Sequence, residues 1–179
     1  MSDKIVLHDK TFSLFISEDK ILEAVKSIAE KINIEYAGKT PLLIPVLNGS
    51  FMFAADLAKN LTIDCEFSFI KASSYDGERS SGVLEALIGL KEDIRNRHVI
   101  IIEDIVDTGN TLAKILPELE LRLPASLKIA TLLFKPAALK ADLKVDCAGI
   151  TILNDFVVGY GLDYNGLGRN LRNIYKIEG

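Results

Sequence analysis

The stretch that decides the fold is VIIIEDIVDTGNT, residues 99–111. Its first four residues are β-branched, which is typical of a strand that is buried on both faces of a sheet. Three carboxylates and a turn come after this apolar run, namely Glu103, Asp104 and Asp107 and then Thr108-Gly109-Asn110-Thr111. Acids and a Gly/Thr turn at the end of a buried strand predict a ligand-binding site there.

Apolar segments alternate with amphipathic ones on both sides of this stretch. The pattern predicts helices at 17–39, 50–61 and 109–123, with Pro117 kinking or shortening the last of them. It predicts strands at 40–49, 63–75, 98–106 and 126–135, a return strand at 83–90, and one or two strands with a glycine-rich tail within 149–179. This alternation favours an α/β fold, a doubly wound and mainly parallel sheet.

Polar residues follow several of the predicted strands. In doubly wound sheets, ligands bind at the carboxyl ends of the strands, so these polar residues are expected along one edge. They are Asn48-Gly49, Glu103 to Thr111, Lys135, and the residues after Phe156.

The turn at 107–111 has the composition of an anion site. A strand that turns into a helix directs backbone N–H groups outward, and the helix end adds positive potential, which suits a phosphate monoester. Glu103 and Asp104 suit a different group, because adjacent carboxylates accept from a vicinal diol or bind a hard cation such as Mg²⁺. The alternative is an acidic strand end with Asp107 as a helix cap. Neither a Walker A motif nor a Rossmann fingerprint is present.

The pattern of apolar strand, Glu-Asp, two apolar residues and Asp-Thr-Gly-x-Thr resembles the phosphoribosyl pyrophosphate (PRPP) signature of the type I phosphoribosyltransferases. Residues 47–57, 73–75, 135 and 156–171 also resemble segments of the hypoxanthine-guanine phosphoribosyltransferases, closest to their short bacterial branch. The resemblance implies one domain over 1–179. It also implies a small hood formed by the N-terminal segment and about 149–179, and a flexible hairpin lid at about 70–84 that includes Ser74 and Tyr75. The alternative for that segment is a plain hairpin tip.

The family resemblance assigns roles around the signature. It implies that Glu103 and Asp104 hold the ribose 2′- and 3′-hydroxyls and help place Mg²⁺, and that residues 107–111 bind the 5′-phosphate. Asp107 is the implied general base for the purine N7 proton. A carboxylate beside a positive helix end tends toward a low pKa, so stabilisation of positive charge on base and sugar is the alternative role for Asp107.

The same resemblance assigns the base site. It implies that Lys135 bonds the exocyclic O6 of a 6-oxopurine, that Phe156 stacks on the base, and that the Val157 backbone contacts the base edge. Asp163 is implied to lie near a second Mg²⁺ or the base. On local grounds alone, the residue types favour a solvated lysine at Lys135 and a core residue at Phe156.

The resemblance also implies contacts for pyrophosphate, the group that leaves PRPP. The Asn48-Gly49 turn and Arg169 are the implied pyrophosphate contacts, and this turn carries a non-proline cis peptide bond in some family members. Many members have a lysine where this chain has Asn48, so the charge of that side-chain contact is missing, while the backbone N–H groups of Asn48 and Gly49 can still donate.

Composition limits the class of protein. The chain has 179 residues, of which 49% are hydrophobic and 26% charged, and a net charge of −4, which predicts one globular domain without a basic nucleic-acid or membrane surface. Cys65 and Cys147 fit neither a disulfide framework nor a thiolate metal site. No signal-peptide segment and no apolar run of about 20 residues is present, so we expect a cytoplasmic protein.

The predicted function is transfer of the phosphoribosyl group of PRPP to N9 of a 6-oxopurine, with Mg²⁺ as cofactor. Hypoxanthine is the expected base, then guanine, and the products are IMP or GMP and pyrophosphate. One alternative is a PRPP-responsive regulator of the same fold that binds nucleic acid. Another is the same chemistry on xanthine, adenine or orotate. A homodimer or homotetramer is expected.

Overall fold

The computed structural model describes residues 3–71 and 90–178. In chain order its strands are β1 (Lys4–Leu7), β2 (Lys10–Ile16), β3 (Leu42–Leu47), β4 (Glu66–Phe67), β5 (Ile70–Lys71), β6 (His98–Val106), β7 (Ser126–Phe134), β8 (Cys147–Thr151), β9 (Val157–Val158) and β10 (Ile174–Ile177). Its helices are α1 (Glu18–Glu35), α2 (Phe51–Asn60) and α3 (Asn110–Glu120).

A parallel sheet forms the centre of the molecule. Its strand order is β4-β3-β6-β7-β8, and β5 also pairs with β3. The register places Pro45 opposite Ile102 and Val106 opposite Phe134, so the carboxyl ends of β3, β6 and β7 lie at one edge. This arrangement confirms the predicted α/β fold with a mainly parallel sheet.

Helices cover both faces of this sheet. Successive residues of β6 point to opposite faces: Ile100 and Ile102 belong to the apolar cluster with α1 and α2, whereas Val99 and Ile101 belong to the cluster with α3. Because both sets are buried, β6 needs apolar side chains at consecutive positions rather than at alternate ones. The β-branched run of the sequence is therefore explained by two-sided burial.

A second sheet is antiparallel and lies in the order β1-β2-β10-β9. It combines the N-terminal segment with the C-terminal one, and its own small core contains Phe12, Val158 and Tyr175. The sequence predicted one or two strands within 149–179, and the structure has β8, starting at Cys147, together with β9 and β10. The extra strand went undetected because β9 is two residues long.

Several element bounds differ from the predicted ones. The segment predicted as one strand at 63–75 contains two short strands, β4 and β5, which pair with the two ends of β3. Helix α1 ends at Glu35, and Gly38 follows in the left-handed region with φ +72°. Helix α3 continues through Pro117 but ends at Glu120, three residues before its predicted end. Proline removes one backbone donor and its ring crowds the carbonyl four residues earlier, and the helix ends within one turn after it.

The predicted return strand at 83–90, except for residue 90, and the proposed lid residues Ser74 and Tyr75 lie outside the described residues. Within residues 3–71 and 90–178, no helix combines the length and hydrophobicity needed to cross a bilayer.

Candidate active site

A cavity of about 320 Å³ lies at the carboxyl edge of the parallel sheet. Residues from the end of β3, the end of β6 and the first turn of α3 line it, including Glu103, Asp104, Asp107, Thr108, Gly109, Asn110 and Thr111. Helix α3 begins at Asn110, so the N–H groups of its first turn have no acceptor within the helix. The cavity therefore combines carboxylates on one side with backbone donors on the other.

Gly109 fixes the shape of the turn before α3. It has a φ of +79°, and a Cβ at this position would lie 2.9 Å from both the Leu139 Cδ1 and the Ala141 Cβ atoms. Backbone N–H groups of Lys140 and Ala141 donate to the Thr108 carbonyl at 3.0 and 3.2 Å. The segment after β7 thus packs closely against the turn and holds it in place.

A second cavity of about 310 Å³ adjoins the first. Both are lined by Gly49, Asp104, Ile105 and Asp107. The second cavity adds the residue directly after β7 and residues from the segment after β8, namely Lys135, Phe156, Val157, Leu162, Asp163 and Arg169. Apart from Asn48, every predicted site residue among the described ones lines one of these two cavities.

Glu103 and Asp104 are adjacent, poorly solvated acids. Burial and the neighbouring Asp104 carboxylate raise the pKa of Glu103 well above its usual range. Burial also raises the pKa of Asp104 to about 6, although hydrogen bonds from backbone N–H groups oppose this shift. Neither carboxylate forms a salt bridge with another described residue. Two such acids side by side suit a ligand that brings hydroxyl donors or a cation.

The acids fit Mg²⁺ only in combination with a ligand. Among the residues that the structure describes, no group of three or more His, Cys, Asp or Glu side chains could hold a metal ion. Mg²⁺ in phosphate-transfer sites commonly takes one or two carboxylates and completes its octahedron with waters and substrate oxygens. Glu103 and Asp104 match that partial set. Asp163 is differently engaged, since its two oxygens accept from Arg169 Nη2 at 2.5 Å and from the Gly166 N–H at 2.7 Å.

Asp107 and Lys135 form an ion pair across the second cavity. Lys135 Nζ donates to Asp107 Oδ2 at 2.7 Å, and its side chain is only 7% exposed against 40% for Asp107. The Lys135 N–H also donates to the Val106 carbonyl at 2.9 Å, which fixes its backbone beside β6. Lys135 is therefore no solvated surface lysine.

Phe156 presents its ring to the second cavity. The residue is 46% exposed, so it is not a core residue, while Val157 beside it is buried. The Phe156 ring lies 5.9 Å from the Tyr164 ring in an edge-to-face arrangement and 6.3 Å from the Phe12 ring. These two neighbouring rings hold the Phe156 ring in place, and part of the surface of that ring remains exposed.

The turn after β3 approaches both sheets. The Leu47–Asn48 peptide bond is cis, as in some members of the resembled family. A Cβ at Gly49 would lie 1.7 Å from Asp104 Oδ2, and a Cβ at Gly161 would lie 2.0 Å from the Gly49 carbonyl oxygen. Glycine is needed at both positions because the backbone passes between β6 and the segment after β9.

Two tyrosines near the site were not found from the sequence. The Tyr160 hydroxyl donates to Asp56 at 2.6 Å, and the Tyr164 hydroxyl donates to Asp9 at 2.9 Å. Their partners lie 104 and 155 residues away along the chain, so no local spacing indicates them.

A doubly wound sheet whose carboxyl edge carries a strand-to-helix turn beside paired acids is typical of proteins that bind phosphorylated ligands. Residues 17–165 match the family model described as phosphoribosyl transferase domain, and the chain belongs to this family. This confirms the family that the 99–111 signature indicated.

Individual phosphoribosyltransferases are similar to this chain over most of its length. The chain is 42% identical to a hypoxanthine-guanine phosphoribosyltransferase of Streptococcus pneumoniae over 167 residues, 93% of each chain. It is 39% identical to a hypoxanthine-guanine-xanthine phosphoribosyltransferase of Tritrichomonas foetus, covering 87% of this chain and 85% of the relative. The crystal structure of a hypoxanthine phosphoribosyltransferase of Staphylococcus aureus superposes with a TM-score of 0.84 at 38% identity, covering 93% of this chain and 91% of that one.

Proposed function

We propose that this protein is a purine salvage enzyme that transfers the 5-phosphoribosyl group of PRPP to N9 of hypoxanthine, and also of guanine. The products are IMP or GMP and pyrophosphate. One observation carries the proposal: the cavity beside the 107–111 turn and the cavity beside Lys135 and Phe156 share Asp107. A phosphate held by the turn and a base held against Phe156 would meet at this carboxylate.

The reaction breaks the bond from C1′ to the pyrophosphate oxygen and forms the bond from C1′ to N9, while the purine loses its N7 proton. Asp107 accepts that proton or stabilises the positive charge that develops on sugar and base. Glu103 and Asp104 accept hydrogen bonds from the ribose 2′- and 3′-hydroxyls. The 5′-phosphate binds to the turn formed by Asp107, Thr108, Gly109, Asn110 and Thr111.

The leaving pyrophosphate is held on the other side of the reacting carbon. Arg169 offers a planar fork of donors to it, and the backbone N–H groups of Asn48 and Gly49 add neutral donors. Mg²⁺, when bound, neutralises charge on the leaving group, and Glu103 and Asp104 would hold it. We propose Asp163 as the contact to a second Mg²⁺ or to the base.

The base site favours a 6-oxopurine. The Lys135 ammonium only donates, so it bonds the O6 of hypoxanthine or guanine and rejects the amino group of adenine. Phe156 stacks on the ring, and the Val157 backbone contacts its edge. The named relatives at 38–42% identity differ in the bases that they are named for. Contacts to the purine 2-position, between Val157 and Asp163, therefore decide between guanine and the xanthine-preferring alternative.

We also propose how the rest of the chain serves the site. The chain is a single domain in which the antiparallel sheet acts as a hood over the base, and residues 70–84 with Ser74 and Tyr75 form a lid over the reacting centre. The enzyme is expected in the cytoplasm as a homodimer or homotetramer, which light scattering of the purified protein would measure.

The test is a PRPP-dependent assay of nucleotide formation with hypoxanthine, guanine, xanthine and adenine supplied separately. We expect turnover with hypoxanthine first and guanine second, no turnover with adenine, and none when EDTA removes Mg²⁺. No turnover on any purine, together with PRPP binding, would favour the regulator of the same fold. The net charge of −4 argues against that alternative, because nucleic-acid binding requires a basic surface.

A further inference from the structure

Tyr160 joins the segment after β9 to helix α2. Its side chain is buried, with 2% of the residue exposed, and its hydroxyl donates to Asp56 Oδ2 at 2.6 Å. The residue has a φ of +49° and lies between Gly159 at +101° and Gly161 at +100°. A tyrosine in the left-handed region is strained, and such positions persist where surrounding contacts hold them.

The charge state of this pair favours a strong hydrogen bond. Burial and the Asp56 carboxylate raise the pKa of Tyr160, so its hydroxyl keeps the proton that it donates. Partial burial raises the pKa of Asp56, but hydrogen bonds from Lys59 and Tyr160 outweigh it and bring the value below the ordinary one. The contact is thus a neutral donor to an ionised acceptor, which is stronger than a contact between two neutral groups.

The next residue along the chain, Gly161, touches both proposed pyrophosphate contacts. Its Cα lies so close to the Gly49 carbonyl that a Cβ would come within 2.0 Å of that oxygen. Its carbonyl accepts from Arg169 Nη1 at 2.6 Å, and its N–H donates to the Arg169 carbonyl at 2.9 Å. The Gly161 peptide, together with the Asp163 carboxylate that accepts from Arg169 Nη2 at 2.5 Å, therefore sets how far the Arg169 guanidinium lies from the Gly49 turn.

Helix α2 completes the connection. It begins at Phe51, directly after the Asn48-Gly49 turn, and Asp56 lies in its second turn. The Tyr160–Asp56 hydrogen bond therefore joins the element that follows the turn to the segment that holds Arg169.

We propose that Tyr160 and Asp56 are positioning residues that hold the Gly49 turn and the Arg169 guanidinium at the separation that pyrophosphate requires. The proposal rests on the proposed function, because it concerns the leaving-group end of PRPP. It assigns the pair an effect on PRPP and pyrophosphate affinity but none on purine affinity. A hydrogen bond that served only stability would lower the melting temperature and leave both affinities unchanged.

The test is the Tyr160→Phe variant of the full chain, measured against wild type. We expect the KM for PRPP and the Kd for pyrophosphate with Mg²⁺, by calorimetry, to rise about tenfold, the order of one lost charge-assisted hydrogen bond. The KM for hypoxanthine should stay within about twofold, which is less than 0.5 kcal/mol.

The chain offers two matched controls. Tyr164→Phe removes another tyrosine hydroxyl bonded to an aspartate in the same segment, on the base side of the site, and should leave the pyrophosphate Kd unchanged. Lys59→Ala removes the other ion-pair partner of Asp56, a lysine whose side chain is 72% exposed. It leaves the Tyr160 hydroxyl and its acceptor in place, so it should change the three constants far less than Tyr160→Phe does.

Calorimetry distinguishes an error in the positioning role from an error in the proposed function. Unchanged pyrophosphate affinity in Tyr160→Phe, or an equal loss of purine affinity, would overturn the positioning role while the proposed function stands. A wild-type protein that binds neither PRPP nor pyrophosphate would overturn both. If Tyr160→Phe does not fold, Asp56→Ala removes the acceptor instead, and the same selective loss of pyrophosphate affinity is expected.

Discussion

The ion pair between Lys135 and Asp107 connects the two side chains proposed to contact O6 and N7 of one purine. A bound 6-oxopurine offers an acceptor to Lys135 and a proton to Asp107, so it can replace the ion pair by two hydrogen bonds. Lys135 is only 6% exposed, and a buried cation without a partner is costly. Each residue therefore stabilises the charge of the other. When a purine binds, Lys135 and Asp107 must each exchange the other residue for an atom of the base.

Asp107→Asn tests the role of this carboxylate in the reaction. Asparagine keeps the shape and one acceptor oxygen but cannot take a proton. We expect kcat to fall about a hundredfold or more, the scale of general-base catalysis, with the KM for PRPP changed by less than about threefold. Steady-state kinetics with PRPP and hypoxanthine varied separately would measure both. A kcat near that of wild type would exclude Asp107 as the base.

Lys135→Met tests the O6 contact. The variant keeps a long apolar side chain but has no donor, so the KM for hypoxanthine should rise about tenfold or more, while the KM for PRPP changes little. Lys144→Met is the matched control, since the Lys144 side chain is 87% exposed and lines neither cavity. Equal effects of the two substitutions on hypoxanthine would contradict the assignment.

Local spacing indicated the three acids and the turn, and the family resemblance assigned Lys135, Phe156, Asp163 and Arg169 to the site, but neither indicated the partners of these residues. Glu103, Asp104 and Asp107 follow a recognisable strand, so their shared edge could be predicted from the chain alone. The bond from Lys135 to Asp107 spans 28 residues and that from Tyr160 to Asp56 spans 104. Such pairings depend on how β6, β7 and α2 are placed in space, which short-range periodicity does not encode.

At the scale of elements, the turn between β3 and α2 is confined from two sides. The Asp104 side chain at the end of β6 approaches Gly49 so closely that any side chain there would collide with it. The Gly161 backbone approaches the same turn through the Gly49 carbonyl. The turn thus has little freedom to adjust when either neighbour moves.

Gly49→Ala tests this confinement. A Cβ would lie 1.7 Å from Asp104 Oδ2, so the carboxylate must move away from its place beside Glu103. We expect kcat/KM for PRPP to fall more than about tenfold, because Asp104 is a proposed ribose and Mg²⁺ contact. Gly166→Ala is the control: its φ of +86° makes it strained, but no atom lies within 4 Å of its added Cβ. A larger loss of kcat/KM in the control would refute the steric explanation.

Long periodic elements could be predicted closely, and short ones could not. Strand β6 spans His98–Val106, as the apolar run indicated, and α1 and α2 lie within their predicted ranges. The strands β1 and β2 were not predicted as strands because their side chains are only partly buried and their pattern is mixed. Their pairing with β10 is set by tertiary contact between the two ends of the chain.

At the scale of the whole molecule, the two sheets are joined beside the candidate site. The Asn173 side chain accepts from the Glu18 N–H at 2.8 Å, which ties the segment before β10 to the start of α1. Together with the Tyr160–Asp56 bond, this contact attaches the antiparallel sheet to the two helices on one face of the parallel sheet. Displacement of the antiparallel sheet would therefore move Phe156 and Arg169 relative to Asp107.

The paired acids should affect stability of the metal-free protein in a pH-dependent way. Burial raises the pKa of Asp104 to about 6 from an ordinary 3.8, so between about pH 4 and 6 the folded chain binds more protons than the unfolded one. The contribution of Asp104 to stability therefore falls as pH rises through this range. Asp104→Asn lacks this loss of stability. The melting temperature of the variant minus that of wild type should therefore increase by roughly 5 °C from pH 4 to pH 7.

Thermal unfolding in EDTA at a series of pH values would measure this difference, with Asp142→Asn, a change at an exposed aspartate, as the control. Since the Asp104 carboxylate also raises the pKa of Glu103, its removal acts on Glu103 in the same direction and adds to the gain. A difference between Asp104→Asn and wild type that stays constant from pH 4 to pH 7 would mean that Asp104 is solvated in the free protein. The carboxylate would then already be ionised at neutral pH, and Mg²⁺ binding to it would release no proton.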